Sequence, residues 1–191
     1  MTAGFKTPLV VELDESGLWV LQADLVWEGS QGDTLIVKAG EETDFASVPR
    51  WLQGIMPATG TWTRAAVVHD MLCRLQNEYH VALAEAVRGF LEGQDYLDEL
   101  FDPDGEFKSW PKAPAFDSVD TDAVFRKIMK ADGTSWIMRQ IGWVGVRWGA
   151  LVNPARRAGW LRTAPAVLGL SVAMLGVVAA VVAGVSAVLP W

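Results

Sequence analysis

GEETDFASVPRWLQGIMPATGTWTRAAVVHDMLCRLQ, residues 40–76, is the stretch from which the rest of the chain can be placed. Its first half, Thr43 to Arg50, reads as a polar loop, with Pro49 fixing φ near its end. Its second half, Thr61 to Gln76, reads as a helix: Thr61 or Thr63 is a candidate cap, and Val68, Leu72 and Leu75 recur at helical spacing. His69 and Asp70 interrupt that apolar stripe. A histidine and a carboxylate beside a core face need hydrogen-bonding partners, because burying them bare is costly. Asp44, Ser47 and Arg50 in the loop are the nearest candidates in sequence.

Before this stretch, three strand-like runs are expected at about Leu9–Leu13, Leu18–Trp27 and Thr34–Lys38. Glu15-Ser16-Gly17 and the run from Gly29 to Asp33 supply turns between them. Trp19, Leu21, Ala23, Leu25 and Trp27 alternate along the second run as in a half-buried strand. After the stretch, Val81–Leu91 reads as a second, shorter helix, with His80 solvated at its boundary. An acidic, proline-bearing excursion follows over residues 92–117. Its Asp102-Pro103-Asp104-Gly105 is not a calcium loop, since aligning Gly105 on the sixth position puts Leu100 first and Pro111 twelfth, neither of them a ligand. A third helix, capped by Ser118 or Asp120, runs to about Lys130 and places Asp122, Phe125 and Met129 on one face. Ala131-Asp132-Gly133 breaks it. Thr134–Val152 resumes as a core helix, the second reading being an amphipathic helix at a membrane interface. The expected fold is α+β: a small antiparallel β-meander packed on three or four helices, followed by one C-terminal transmembrane helix.

That last element is Ala166–Leu189, 24 residues without a charge and with only Ser171 and Ser186 as polar side chains. As a helix it extends about 36 Å, enough for a hydrocarbon core of roughly 30 Å. Trp160 and Trp191 bracket it, as interfacial tryptophans do. The chain therefore divides into a body at 1–152, a basic linker at 153–164 containing Arg156, Arg157 and Arg162, and an anchor at 165–191. Gly176, Ala180 and Gly184 repeat at four-residue spacing, the small-residue pattern through which membrane helices associate; two readings stand, ordinary membrane-helix composition, in which Gly and Ala are common, and a homo-oligomer through this helix.

Charge is unevenly placed. The net charge is −7; residues 1–122 hold 8 Lys+Arg against 22 Asp+Glu, and residues 123–191 hold 8 Lys+Arg against Asp132 alone. An acidic body argues against nucleic acid as a partner, which needs a basic footprint. The basic end fits a surface-binding role, with the membrane as partner. Met1 to Thr7 does not read as a signal peptide, Cys73 is the single cysteine, and the arginines before the anchor favour retention on the cytoplasmic side. The expected location is an inner membrane, with the main domain cytoplasmic and inserted as a tail anchor.

The pattern T-D-x-A-S-x-P-R (Thr43 to Arg50) followed by A-A-x-x-H-D (Ala65 to Asp70) resembles the phage and prophage domain of unknown function 1353. The resemblance runs from about Trp19 to Gly149 and takes in Ile36 to Gly40, Asp122, Phe125 and the closing Val146-Arg147-Trp148-Gly149. It implies a bacteriophage or prophage origin, so that the membrane is the host cell inner membrane, the alternative being a virion-associated protein, with other phage or host-envelope proteins as partners, and it carries no settled activity.

Three readings of His69, Asp70, Asp44 and Asp122 compete. In the first, His69 is a general base oriented by Asp122, with Asp70 or Asp44 holding a hard cation or a water. In the second the group binds a metal, with Asp44 or Asp70 as ligands. One histidine and scattered carboxylates make a thin ligand set, so no cofactor is expected beyond a divalent cation. In the third they form a structural polar knot, tolerated only if fully satisfied. Thr43, Asp44, Ser47, Pro49 and Arg50 are the motif-loop residues of interest, Ser47 as a turn or cap residue rather than a nucleophile. Two functions follow: a membrane-anchored phage accessory protein that acts by binding in virion assembly, lysis or host-envelope modification, or a membrane-anchored hydrolase of a lipid or envelope substrate using His69.

Overall fold

A computed structural model describes residues 2–30, 32–45, 59–91 and 114–188. The fold is α+β, with two small antiparallel sheets rather than one meander. Sheet one contains β1 (Gly4–Phe5), β4 (Leu25–Glu28) and β5 (Thr34–Val37) in the order β1-β4-β5; sheet two contains β2 (Val11–Leu13), β3 (Trp19–Leu21) and β6 (Glu42–Thr43) in the order β2-β3-β6. The single strand expected over Leu18–Trp27 is thus two strands in different sheets. Between them Asp24 makes the corner: its carboxylate accepts from the Ala39 N–H and the Lys38 ammonium, both at 2.9 Å, and its carbonyl accepts from the Thr7 hydroxyl at 2.8 Å. Leu21, Leu25 and Trp27 are all buried on either side of it. In sequence the apolar alternation continues through the corner at Ala23, which the structure leaves exposed, so the two-residue period alone does not reveal the change of sheet.

Four helices follow among the described residues. α1 (Thr63–Leu91) is continuous, so the two helices expected over 61–76 and 81–91 are one, and His80 is an exposed residue within it. Asn77-Glu78-Tyr79-His80 contains neither glycine nor proline, and nothing in it stops propagation. Neither expected cap acts as one: the Thr63 hydroxyl accepts from the Gly60 N–H, and the Thr61 hydroxyl accepts from Thr134. α2 (Ser118–Ala131) is capped by Asp117 instead of Ser118 or Asp120; Asp117 accepts from the Val119 and Asp120 N–H groups, and Asp120 reaches back to the Asp117 N–H. Gly133, with φ +78°, turns the chain into α3 (Trp136–Val152), capped by Ser135. A 3-10 turn at Arg157–Gly159 then leads into α4 (Trp160–Val188), which is one helix despite Pro165 within it.

The helices run back and forth. Arg64 and His69 of α1 meet Asp132 and Asp122 around α2; Asp122 and Arg126 of α2 meet Arg147 and Trp143 of α3; Arg147 and Trp143 meet Thr163 and Val167 of α4. The main core gathers Leu21, Leu25, Trp27 and Val37 from the sheets, Ala65, Val68 and Leu72 from α1, and Phe125, Ile128 and Met129 from α2. A second cluster joins Trp143 and Val144 of α3 to Val167 of α4, with Trp160, Leu170 and Met174 packed on it. The stretch 153–164, expected as a basic linker, is folded against the body. Gly159 lies so close to α2 that an added Cβ would stand 2.8 Å from a Val119 methyl.

Beyond Met174 the helix stands clear, with every residue from Leu175 to Ser186 exposed. By length and composition, Arg157–Ser186 is apolar enough to cross a membrane, with a mean hydropathy of 2.5. Leu189 and Trp191 lie outside the described residues, as does most of the acidic excursion, residues 92–113.

Candidate functional site

The helical repeat of α1 turns His69 and Asp70 onto different faces, and they enter different environments. His69 faces α2. Its Nε2 lies 2.7 Å from Asp122 Oδ1, and its ring tilts against Phe125 at 5.1 Å between centroids. The sequence-level pairing of His69 with Asp122 is therefore present in space. Two partners come from segments read otherwise. Arg147, from α3, is fully buried and donates from Nη1 to Asp122 Oδ2 at 2.8 Å and to the Ser118 carbonyl at 3.1 Å, while its Nε donates to Thr163 Oγ1 at 2.9 Å. Arg156, from the turn before α4, donates from Nη2 to Asp122 Oδ1 at 2.5 Å. Asp122 thus accepts from two guanidinium groups and an imidazole.

This is a closed arrangement. Asp122 is 0% exposed, His69 8%, Arg147 0% and Arg156 6%. Burial opposes the charged form of Asp122, but His69, Arg156 and Arg147 together hold its carboxyl below the usual carboxylate range. Burial likewise opposes protonation of His69, yet the bond to Asp122 and the neighbouring Cys73 raise its pKa to about 9. With Nε2–H donating to the carboxylate, the other ring nitrogen, Nδ1, faces Cys73 Sγ at 3.6 Å. Among the described residues, Arg147 Nη2 and Arg156 Nε have no hydrogen-bond partner, so the cluster holds more donors than acceptors.

Asp70 faces β6 instead. Its Oδ2 accepts from the Thr43 hydroxyl at 2.6 Å, and Thr43 Oγ1 in turn accepts from the Phe45 N–H at 3.0 Å. Phe45 has φ +66°, an uncommon conformation for a bulky residue, and is buried against Trp19. Leu18, Glu42, Thr43, Asp44, Asp70 and Arg74 line an open groove of about 220 Å³. Arg74 is committed to Glu41 and to the Glu42 carbonyl. Burial pushes the Asp70 carboxyl above its ordinary value, held back by Thr43 and His69, with Asp44 adding to the rise. The loop and helix halves of the motif do meet, through Thr43 and Asp70. Ser47, Pro49 and Arg50 lie outside the described residues.

Among the described residues, no group of three His, Cys, Asp or Glu side chains is arranged to hold a metal ion. Asp44 and Asp70 share the groove, while the carboxylate beside His69 is occupied by arginines. Arg147 and Arg156 are the site residues that sequence reading missed. The available signal was Asp122 itself: a carboxylate on an inward stripe calls for a buried cation, and Arg147 is the charge on the corresponding stripe of α3.

The profile of the family described as "Protein of unknown function (DUF1353)" matches residues 19–146, two-thirds of the chain, and the chain belongs to that family. No curated protein and no solved structure matches it. The matched residues contain His69, Asp70 and Asp122 and stop just before Arg147.

Proposed function

We propose that this DUF1353 protein is a membrane-anchored accessory protein of phage or prophage origin that acts by binding, in virion assembly, lysis or host-envelope modification. One observation carries the choice of binding over hydrolysis. His69 directs Nε2 at a carboxylate already held by Arg147 and Arg156, and the imidazole is buried, leaving it no open face toward a substrate. The cluster instead fastens α1, α2, α3 and the base of α4 together, which is the work of a structural knot. The groove at Thr43, Asp44 and Asp70 is the open polar feature of the motif and is the face assigned to a partner. Anchoring rests on α4, whose apolar side chains stand in the open from Leu175 onward. The phage assignment rests on the motif resemblance.

The body belongs on the cytoplasmic side of the host inner membrane, and a feature of the fold supports this. Of the arginines before the anchor, Arg156 is paired with Asp122, Arg162 with Asp117, and Arg157 with the Leu151 carbonyl. Arg157 bonds only a carbonyl and keeps its net charge, and Lys130 and Arg139 stand at the α2–α3 corner. Together they serve the positive-inside rule.

The test has two arms. Full-length protein floated with phospholipid vesicles is expected in the lipid fraction; recovery in the aqueous fraction overturns anchoring. His69→Gln is expected to retain whatever effect the wild-type protein has on the host when its unfolding curve is unchanged. Loss of that effect at unchanged stability overturns the binding reading in favour of a hydrolase using His69.

A further inference from the structure

We infer that the α2–α3 corner, with Trp136 and Ile137 at its tip, is seated in the membrane interface beside α4, so that the body rests on the bilayer instead of standing off it on a stalk. This rests on the reading of α4 as a membrane span and adds a second point of lipid contact.

The argument begins with where α4 leaves the body. α3 and α4 are antiparallel neighbours: Arg147 bonds Thr163, and Trp143 and Val144 pack on Val167. Continuing that register brings Trp136 level with about residue 175, at a rise of about 1.5 Å per residue in each helix. The packed face of α4 ends at the same level, with Met174 the last partly buried residue. The charge-free run of α4 begins directly after Arg162, well before that level, so the apolar surface offered to lipid starts alongside the body.

The side chains at that level suit lipid. On the outer face of α4, Leu168 and Val172 are 47% and 69% exposed before the helix leaves the body. At the tip of α3, Trp136 and Ile137 are 63% and 62% exposed, the largest exposures of aromatic and isoleucine side chains among the described residues. Tryptophan prefers the level of the headgroups, and α3 turns away from it into a buried face of Trp143, Val144 and Ala150. Behind the tip stand Arg126, Lys130 and Arg139, against Asp132, whose carboxylate is held by Arg64. An apolar tip behind which cations gather is complementary to an anionic bilayer surface. Trp136 and Ile137 also continue the apolar surface of the span itself, so their occupant is lipid, and a partner protein is an outcome that the test separates.

The experiment uses the full chain in phosphatidylcholine–phosphatidylglycerol vesicles. Single spin labels at Ile137, Val181 and Ser16 in a Cys73→Ala background are compared for collision with oxygen and with a water-soluble nickel chelate. The expected result is Val181 in the hydrocarbon, Ile137 at the level of the headgroups or just below, and Ser16 in water. Val181 in lipid with Ile137 in water overturns this inference and leaves the span standing. Val181 in water removes the span, and the inference with it. Because Cys73 touches His69, a second measurement keeps the native cysteine: quenching of tryptophan fluorescence by lipids brominated near the carbonyl, in wild type and Trp136→Phe. A smaller quenched fraction in Trp136→Phe is expected, and an unchanged fraction overturns the inference.

Discussion

Replacing Asp122 by asparagine tests whether the buried cluster holds the fold together. The substitution keeps the size and one acceptor oxygen but removes the charge that faces Arg147 at 2.8 Å and Arg156 at 2.5 Å. Both arginines are buried, so neither guanidinium can turn to water. Breaking one partner of a buried ion pair costs about 3–5 kcal/mol, because a charge is left uncompensated. Three charge-assisted bonds at about 1.5–3 kcal/mol each would give a larger sum, but bonds to one carboxylate share their energy and do not add. A loss of about 3–5 kcal/mol is therefore expected, against a typical domain stability of about 5–15 kcal/mol. Urea unfolding of the full chain in detergent micelles, followed by tryptophan fluorescence and circular dichroism, measures it. The companion variant Asp122→Leu, Arg147→Met, Arg156→Met removes the carboxylate and both guanidinium charges, so that buried His69 becomes neutral, and is expected to recover at least half of the loss, since well-packed apolar groups replace buried ion networks at little cost. A loss under about 1 kcal/mol for Asp122→Asn, the size for exposed pairs, would refute the closed-cluster reasoning.

The pH dependence follows from the same groups. His69 titrates at about 9 in the folded chain against a reference of 6.5, so its contribution is complete below about 6.5 and is lost as pH rises through 9. Asp122 is lowered from 3.8, so its contribution is complete above that value and is lost as pH falls below it. Unfolding midpoints should decline on both sides of that window, and His69→Gln should flatten the alkaline limb and, since His69 also helps hold the Asp122 carboxyl low, reduce the acid limb in part. In a double-mutant cycle, His69→Ala and Asp122→Asn should couple by about 0.5–3 kcal/mol; strict additivity would contradict the pairing. Truncation should distinguish two cut points by their melting curves: a chain ending after Met174 keeps Arg156 and Val167 in place, whereas one ending after Asn153 loses both and should melt at a clearly lower temperature. In the span, Gly176, Ala180 and Gly184 are exposed, and Ala180→Ile should reduce crosslinking of the helix between copies; unchanged crosslinking would exclude that face as an interface.

What could be read without coordinates was local. Periodicity located α2, α3 and the apolar helix, because each carries a continuous stripe or run that only a helix satisfies. The pairing of His69 with Asp122 was legible for the same reason: each is a charge-bearing group on an inward face, and buried polar groups must find each other. Placing Asp24 at a corner between two sheets was not legible, since Leu21, Leu25 and Trp27 keep their alternation through it. Joining α1 through residues 77–80 was a matter of what is absent there, a helix breaker, rather than of any positive signal. The remaining partners were decided by the tertiary structure alone. Arg156 looked like a membrane-flanking arginine, because its neighbours in sequence are Arg157 and the apolar run. It is instead the second cation of Asp122, because a short turn folds the base of α4 back onto α2 where Gly159 permits close approach. Sequence distance sets what a residue is next to along the chain. The energy of a buried charge depends on what surrounds it in space, and only the packing of four helices supplies that.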